Sequence, residues 1–227
     1  MPKNNSIKSV LIIGSGPIVI GQACEFDYSG SQASRSLREE GIEVSLINSN
    51  PATIMTDNVV ADHIYLKPLT TASIVEILEE RNIDAVLPTM GGQTALNLAM
   101  AAERKGILKK YKIELIGANS KAISNAEDRK KFRKNMLDIG LDLPKSKVVN
   151  HIRDAAKALK QIGLPAIIRP AFTLGGLGGG IAKTEKEYLK IVKDGLHESP
   201  VNQILIEECL EGWKEFEMEV VRDKKDN

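Results

Sequence analysis

The sequence predicts an α/β protein in two parts: a parallel sheet covered by helices, followed by an α+β region. Short apolar segments alternate with amphipathic segments up to residue 120, and beyond it short strands and helices mix around a glycine-rich loop. Alternation of this kind is typical of a parallel sheet that is buried on both faces. We therefore expect one domain over residues 1–120 and a second domain over residues 121–227.

The first part reads as strands and helices in strict succession. Predicted strands lie at residues 9–13, 44–47, 85–87 and 115–116, and predicted helices at 31–40, 71–81 and 94–104. The strands are short and apolar, whereas the second helix places Ile74, Ile77 and Leu78 on one face. Gly41 ends the first helix, because glycine is favoured just beyond a helix C-terminus.

The second part has the mixed pattern of an α+β domain. Helices are predicted at 128–139 and 152–162, and strands at 148–149, 166–168, 180–182 and 204–206. A further helix opens with Thr184 and Glu187, the spacing of a capping box. Residues 215–220 alternate between polar and apolar, which predicts a half-buried strand, and 222–227 have turn composition. Since such a strand needs a partner, we expect this domain to be incomplete.

Composition excludes several classes of function. A formal net charge of +1 argues against a nucleic-acid partner or an anionic membrane surface, and no apolar run has membrane-spanning length. Cys24 and Cys209 form no CxxC pair, and the three histidines show no metal-ligand spacing, so we expect no disulfide and no metal site. The basic run at 129–134 has helical apolar spacing and is interpreted as a mostly solvated face. Cytoplasmic localisation is the expectation.

Glycines after the first strand raise the possibility of dinucleotide binding. Gly14 and Gly16 begin a GxGxxG pattern, but Val19 occupies the third glycine position. A dinucleotide-binding fingerprint also has an acidic residue at the end of the second strand, which binds the ribose, but this chain has Asn48 there. We therefore favour a structural role, a tight turn and close helix packing. The turn at 88–93 either lines a ligand crevice or is purely structural.

The glycine-rich loop gives the strongest functional signal. Five glycines occupy six positions in residues 175–180, and Arg169 closes the apolar strand before them. Glycines cost backbone entropy on ordering, but they allow main-chain N–H groups to approach phosphate oxygens closely. A neighbouring guanidinium adds positive charge. The spacing predicts phosphate binding, and the alternative is a flexible linker.

Acidic residues follow the strand at 204–206. Backbone groups beyond such a strand are able to pair with an adenine edge, and a carboxylate accepts hydrogen bonds from ribose hydroxyls. Glu208, Leu210 and Glu215 occupy these positions. Taken alone the signal is weak, because acidic residues at strand ends are usually solvated.

Together these motifs resemble one family. Segments 14–22, 25–30, 48–57, 87–97 and 212–220 are similar to signatures of the carbamoyl-phosphate synthetase large chain, bacterial type. The resemblance covers all 227 residues and reaches only the first part of that large protein. It implies a Rossmann-like pre-ATP-grasp domain over 1–120, then a truncated ATP-grasp domain over 121–227. The lid subdomain would span about residues 146–206.

The resemblance also implies an activity and its site. Enzymes of this family are ATP-dependent ligases whose first half phosphorylates bicarbonate to carboxyphosphate, which ammonia from glutamine converts to carbamate. The second half of these enzymes phosphorylates carbamate to carbamoyl phosphate, which serves arginine and pyrimidine biosynthesis. The implied ATP-binding residues are two arginines for the phosphates, two loop glycines, two main-chain positions for adenine and one carboxylate for ribose: Arg129, Arg169, Gly175, Gly176, Glu208, Leu210 and Glu215. One departure is Leu177, where the family usually has a small, often hydroxylated residue.

Cofactors and partners follow from the same resemblance. The cofactors would be ATP and Mg²⁺ or Mn²⁺, with the metal ligands beyond Asn227, so the fragment alone should be inactive. A small glutaminase subunit would be the partner, in an oligomer of heterodimers. Three alternatives stay open. The chain could be an NAD-dependent oxidoreductase domain or a non-catalytic module that docks a glutaminase subunit. It could also be a truncated sequence that results from a gene-model or sequencing artefact.

Overall fold

The structure is a computed structural model, which describes residues 4–17, 23–173, 176–218, 220, 225 and 227. It divides into two compact units, residues 2–124 and 125–227. Each unit has its own sheet and its own apolar core. In the described part of the chain no helix is both long and apolar enough to cross a membrane.

The first unit contains a parallel sheet. Its strands are β1 (Ser9–Ile13), β2 (Glu43–Asn48), β3 (His63–Leu66), β4 (Ala85–Leu87) and β5 (Glu114–Leu115), in the order β3-β2-β1-β4-β5. The helices are α1 (Ala23–Glu39), α2 (Thr71–Glu80), α3 (Gly92–Arg104), α4 (Ile107–Tyr111) and α5 (Ser120–Glu127), and the last residues of α5 belong to the second unit. This arrangement confirms the predicted Rossmann-like class.

Both faces of this sheet are buried. Successive side chains of β1 point to opposite faces, so Leu11 and Ile13 belong to one apolar cluster and Val10 and Ile12 to another. The first cluster includes Ile77 of α2 together with residues of α3. Each fully buried aliphatic side chain contributes roughly 1.5–3 kcal/mol to folding. Burial on both faces explains why the four residues after Ser9 in β1 are all apolar.

One helix in this unit differs from its prediction. We expected a helix over 31–40, but α1 starts at least as early as Ala23 and contains Gly30. A Cβ at Gly30 would lie 2.2 Å from the Cε atom of the buried Met55, so a larger residue there would force the end of that side chain to move. Gly30 is therefore a point of close contact between α1 and the segment that contains Met55.

The second unit contains an antiparallel sheet. Its strands are β6 (Ser146–Val149), β7 (Ala166–Pro170), β8 (Gly180–Ala182) and β9 (Ile204–Glu208), in the order β6-β9-β7-β8. Its helices are α6 (Arg129–Asp138), α7 (Ala155–Ile162) and α8 (Glu185–Glu198). The glycine-rich loop joins β7 to β8.

Helices of the second unit begin where capping chemistry places them. The side chain of Asp128 accepts hydrogen bonds from the backbone amides of Lys130 and Lys131 at the start of α6. At the start of α8, Thr184 and Glu187 form both hydrogen bonds of a capping box, which confirms that prediction. Each cap satisfies amides that the first helical turn cannot pair internally.

The structure does not show the strand that the sequence predicts at 215–220. Its described residues are extended or irregular and pair with no strand of the described chain. A strand exists through its ladder of hydrogen bonds, so an alternating pattern alone is not sufficient. Glu219 and most of the predicted turn at 222–227 lie outside the described residues.

Candidate functional site

Alternation along β7 and β9 gives the second sheet two different faces. Ile168 and Ile206 point into the apolar core of the second unit. Since side chains alternate, Arg169 and Glu207 point to the opposite face. There the guanidinium Nε of Arg169 lies 3.1 Å from a carboxylate oxygen of Glu207. The polar residues therefore collect on the face that the core leaves uncovered.

A pocket lies between this open face and helix α6. Its volume is about 240 Å³. The sheet contributes Ser146, Arg169, Leu205 and Glu207, and the remaining lining comes from α5, α6 and the segment before β6: Ala126, Phe132, Arg133 and Leu143. Two guanidinium groups, one carboxylate and an apolar wall thus meet in one cavity, a combination suited to an anionic ligand with an apolar part.

Both guanidinium groups in the pocket are held by a partner. Arg169 has a side chain that is 51% exposed, whereas Glu207, its partner, is only 17% exposed. Arg133 donates a hydrogen bond from Nε to Oγ of Ser146 at 2.8 Å. Pre-positioned guanidinium groups lose less side-chain entropy when they bind a ligand. The pocket therefore presents oriented donors.

The glycine-rich loop combines packing with accessible backbone. A Cβ at Gly179 would lie 2.8 Å from the carbonyl oxygen of Ile168, so glycine is needed there for close approach. Gly176 has φ +75°, and a Cβ there would meet nothing within 4 Å. Leu177 is 58% exposed. Gly175 lies outside the described residues.

Glu208, Leu210 and Glu215 are not among the described residues that line the pocket. Glu208 ends β9, and its carboxylate accepts a hydrogen bond from the backbone amide of Lys145 at 2.9 Å. Leu210 follows the strand, and Glu215 is exposed. Arg129 is the first residue of α6, and its side chain lies outside the described part. Of the predicted site residues, Arg169 is the one that the described pocket contains.

Two pocket residues had no functional role in the sequence interpretation. The sequence places Arg133 in a basic run that is interpreted as a mostly solvated face, and it gives no role to Glu207. A signal for Arg133 exists in the sequence, because positions 129 and 133 are four residues apart and such positions fall on one face of a predicted helix. For Glu207 the signal is its alternation with Ile206, which places it on the face opposite the core.

In the first unit, the glycines after β1 and β4 pack closely against other residues of the same unit. A Cβ at Gly14 would lie 2.7 Å from Cγ of Asn48, and one at Gly91 would lie 2.3 Å from the carbonyl oxygen of Ile13. Asn48 is fully buried, and its Oδ1 accepts a hydrogen bond from the amide of Gly16 at 3.1 Å. A side chain and a backbone segment therefore occupy the space beside the turn, which supports the packing interpretation of these glycines.

Other grooves and clusters are less suited to a phosphate ligand. An open groove of about 940 Å³ lies in the first unit. Its Arg38 and His63 contact the carboxylates of Asp62 and Glu43, so its charges are largely paired within the groove. Among the described residues no group of three or more His, Cys, Asp or Glu side chains could hold a metal ion.

Comparison with protein families covers nearly the whole chain. The model of the carbamoyl phosphate synthase preATP-grasp domain matches residues 6–125. The model of the carbamoyl-phosphate synthase L chain, ATP binding domain, matches residues 128–227. The second match contains the pocket residues from Phe132 to Glu207.

Solved structures share this fold at low sequence identity. The biotin carboxylase domain of 2-oxoglutarate carboxylase from Hydrogenobacter thermophilus has a TM-score of 0.67 and 21% identity, covering 90% of this chain and 45% of that one. Biotin carboxylase from Campylobacter jejuni has a TM-score of 0.67 and 21% identity, covering 92% of this chain and 47% of that one. At this identity the similarity establishes the fold.

Curated relatives are much closer in sequence. The carbamoyl phosphate synthase large chain of Pseudomonas aeruginosa is 58% identical over all of this chain, and that of Vibrio vulnificus is 56% identical. The chain spans 21% of the length of these relatives. With two family models matching almost every residue, the chain belongs to the carbamoyl phosphate synthase large-chain family.

Proposed function

We propose that this chain is the ATP-binding, bicarbonate-phosphorylating part of a glutamine-dependent carbamoyl phosphate synthase large chain, an ATP-dependent ligase. The observation that carries the proposal is the pocket on the open sheet face, where Arg169 lies beside an apolar wall and precedes the glycine-rich loop. Residues 1–120 would form the pre-ATP-grasp domain and residues 121–227 the first part of the ATP-grasp domain. The lid subdomain would span about 146–206, as the antiparallel sheet and its loop suggest.

The described residues fit a nucleoside phosphate. The half-exposed guanidinium of Arg169 offers charge-assisted hydrogen bonds to phosphate oxygens. Leu205 and Phe132 supply apolar surface for a base or sugar. Space beside Gly176 is open among the described residues, since a Cβ there would meet no atom within 4 Å, so a phosphate group would have room to approach. Gly175 and Arg129 complete the proposed phosphate contacts.

Adenine and ribose contacts are proposed at the end of β9. The amide of Glu208 already donates to the carbonyl of Lys145 at 2.9 Å, so its own carbonyl is the group that would accept from the adenine amino group. The carbonyl of Leu210 accepts from the amide of Trp213 at 3.0 Å, which leaves the amide of Leu210 as the adenine donor. Glu215 would accept hydrogen bonds from the ribose hydroxyls.

The chemistry that ATP supplies when bound is a transferable phosphoryl group for bicarbonate. The residues of this chain would bind the phosphates, orient them and offset their charge, which are the main protein contributions to phosphoryl transfer. A divalent cation, Mg²⁺ or Mn²⁺, belongs to the proposal, with its protein ligands outside the described residues. A small glutaminase subunit would supply ammonia within an oligomer of heterodimers.

Calorimetric titration of this chain with ADP tests the proposal. We expect saturable binding that Arg169→Ala weakens by about 10-fold or more, because a hydrogen bond to a charged group contributes about 1.5–3 kcal/mol. Arg153→Ala is the matched control, since Arg153 is an exposed arginine of the same unit outside the pocket lining. Equal ADP affinity in the wild type and in Arg169→Ala would contradict the proposed site.

A further inference from the structure

Arg133 differs from Arg169 in how its charge is compensated. The carboxylate of Glu207 lies 3.1 Å from Arg169, so that guanidinium is already paired with an opposite charge. The resolved partner of Arg133 is the hydroxyl of Ser146, which is neutral. With two guanidinium groups and one carboxylate in the described lining, the pocket carries a net positive charge, and Arg133 is its source.

The geometry of Arg133 leaves donors for a ligand. Its Nε is used by Ser146 at 2.8 Å, and its Nη groups have no acceptor among the described residues. A guanidinium has five N–H donors in a fixed plane, so fixing Nε orients the remaining four. The residue is partly buried, and it shares the cavity of about 240 Å³ with Arg169. Desolvation by the apolar wall strengthens its interaction with an anion.

We propose that Arg133 is a further phosphate-binding residue of this pocket, and that Ser146 is its positioning residue. The inference rests on the proposed function, that the pocket binds a nucleoside phosphate. Arg133 supplies the uncompensated charge, and Arg169 supplies a donor whose direction Glu207 fixes. A purely structural alternative is that Arg133 only ties α6 to β6 through Ser146.

Comparing the binding of ADP with that of adenosine, which lacks phosphate, distinguishes a phosphate-binding role of Arg133 from a purely structural one. Calorimetric titration of this chain should show that Arg133→Gln weakens ADP binding by about 10-fold, in line with the loss of a charge-assisted contact, while adenosine binding stays within about 2-fold. Ser146→Ala keeps the charge but frees the guanidinium, so we expect a smaller loss for ADP, about 3-fold.

Lys130→Gln is the matched control on the same helix. It removes one positive charge, and Lys130 lines a neighbouring groove but not this pocket. We expect ADP affinity within about 2-fold of the wild type for this variant, because an exposed charge outside the pocket is screened. An equal loss in Lys130→Gln and Arg133→Gln would overturn the inference, since only net charge would then matter.

Two further outcomes are informative. If Arg133→Gln lowers ADP and adenosine affinity together and lowers the melting temperature, Arg133 acts only as a structural tie and the inference fails. If Arg169→Ala weakens ADP binding and Arg133→Gln does not, the inference fails while the proposed function stands. Absence of ADP binding by the wild-type chain overturns the proposed function, and the inference with it.

Discussion

Tyr188 offers a quantitative test of how the core of the second unit is held together. Its side chain is fully buried, and its hydroxyl donates a hydrogen bond to the carbonyl of Ala155 at 2.8 Å, joining α8 to α7. Tyr188→Phe keeps the ring but leaves that carbonyl without this donor. A buried group that loses its partner costs about 1–3 kcal/mol. For a unit of roughly 100 residues the melting temperature should fall by at least about 4 °C.

The same residue makes stability depend on alkaline pH. Burial raises the pKa of Tyr188 from its ordinary value of 10.0 to about 12. Because the folded state holds the proton more tightly than the unfolded chain, this contribution is complete below pH 10 and is lost as the pH rises to 12. Over the full range it amounts to about 3 kcal/mol, and about half of it is lost by pH 11.

Urea unfolding of wild type and Tyr188→Phe at pH 8 and pH 11, followed by circular dichroism, measures this contribution. The stability advantage of the wild type should shrink by about 1 kcal/mol between the two pH values. Tyr28→Phe is the control, because Tyr28 is 63% exposed and its removal should cause no such change. A wild-type advantage that is the same at both pH values would refute the argument from burial.

Two other predictions concern local backbone structure. Gly91→Ala brings a Cβ to 2.3 Å from the carbonyl oxygen of Ile13, so we expect the free energy of unfolding in urea to fall by about 3 kcal/mol. Gly106→Ala is the control, because Gly106 has φ +71° but open space around it, and it should cost only about 1 kcal/mol. Equal losses in the two variants would contradict the close-approach argument. Two backbone amides donate to Glu187 and hold its pKa below its usual range, so its stabilisation of α8 is present above the usual pKa and is lost as the pH falls through the lowered value. Glu187→Gln should reduce the acid dependence of unfolding between pH 6 and pH 3, and an unchanged dependence would exclude this role.

The sequence predicted the sheet strands best where burial on both faces demands apolar residues. The predicted strands at 9–13 and 85–87 match β1 and β4, because every position in them is buried. By contrast, β3 reads His63-Ile64-Tyr65-Leu66 and is only partly buried, which leaves no clear pattern. In α5 the single buried residue is Ile123, and one apolar position cannot define a helix period.

The site was predicted less completely than the fold, and for a physical reason. Arg169 was identifiable because it directly precedes a glycine-rich loop, which is a local signal. Glu207 reaches it only because β9 pairs with β7, and Arg133 reaches the pocket only because α6 packs over the open face of the sheet. Contacts between residues so distant in sequence depend on register and packing, which local patterns do not specify.

Along the same strands, the two faces of the second sheet separate the apolar core from the candidate pocket. On β7, Ile168 packs in the core that Tyr188 anchors, whereas the next residue, Arg169, faces the pocket. A defect that is confined to the core face should lower the free energy of unfolding without changing the local arrangement of the pocket. Tyr188→Phe should therefore bind ADP with wild-type affinity at temperatures where it is folded, whereas variants at Arg169 or Arg133 should lose affinity at nearly unchanged stability.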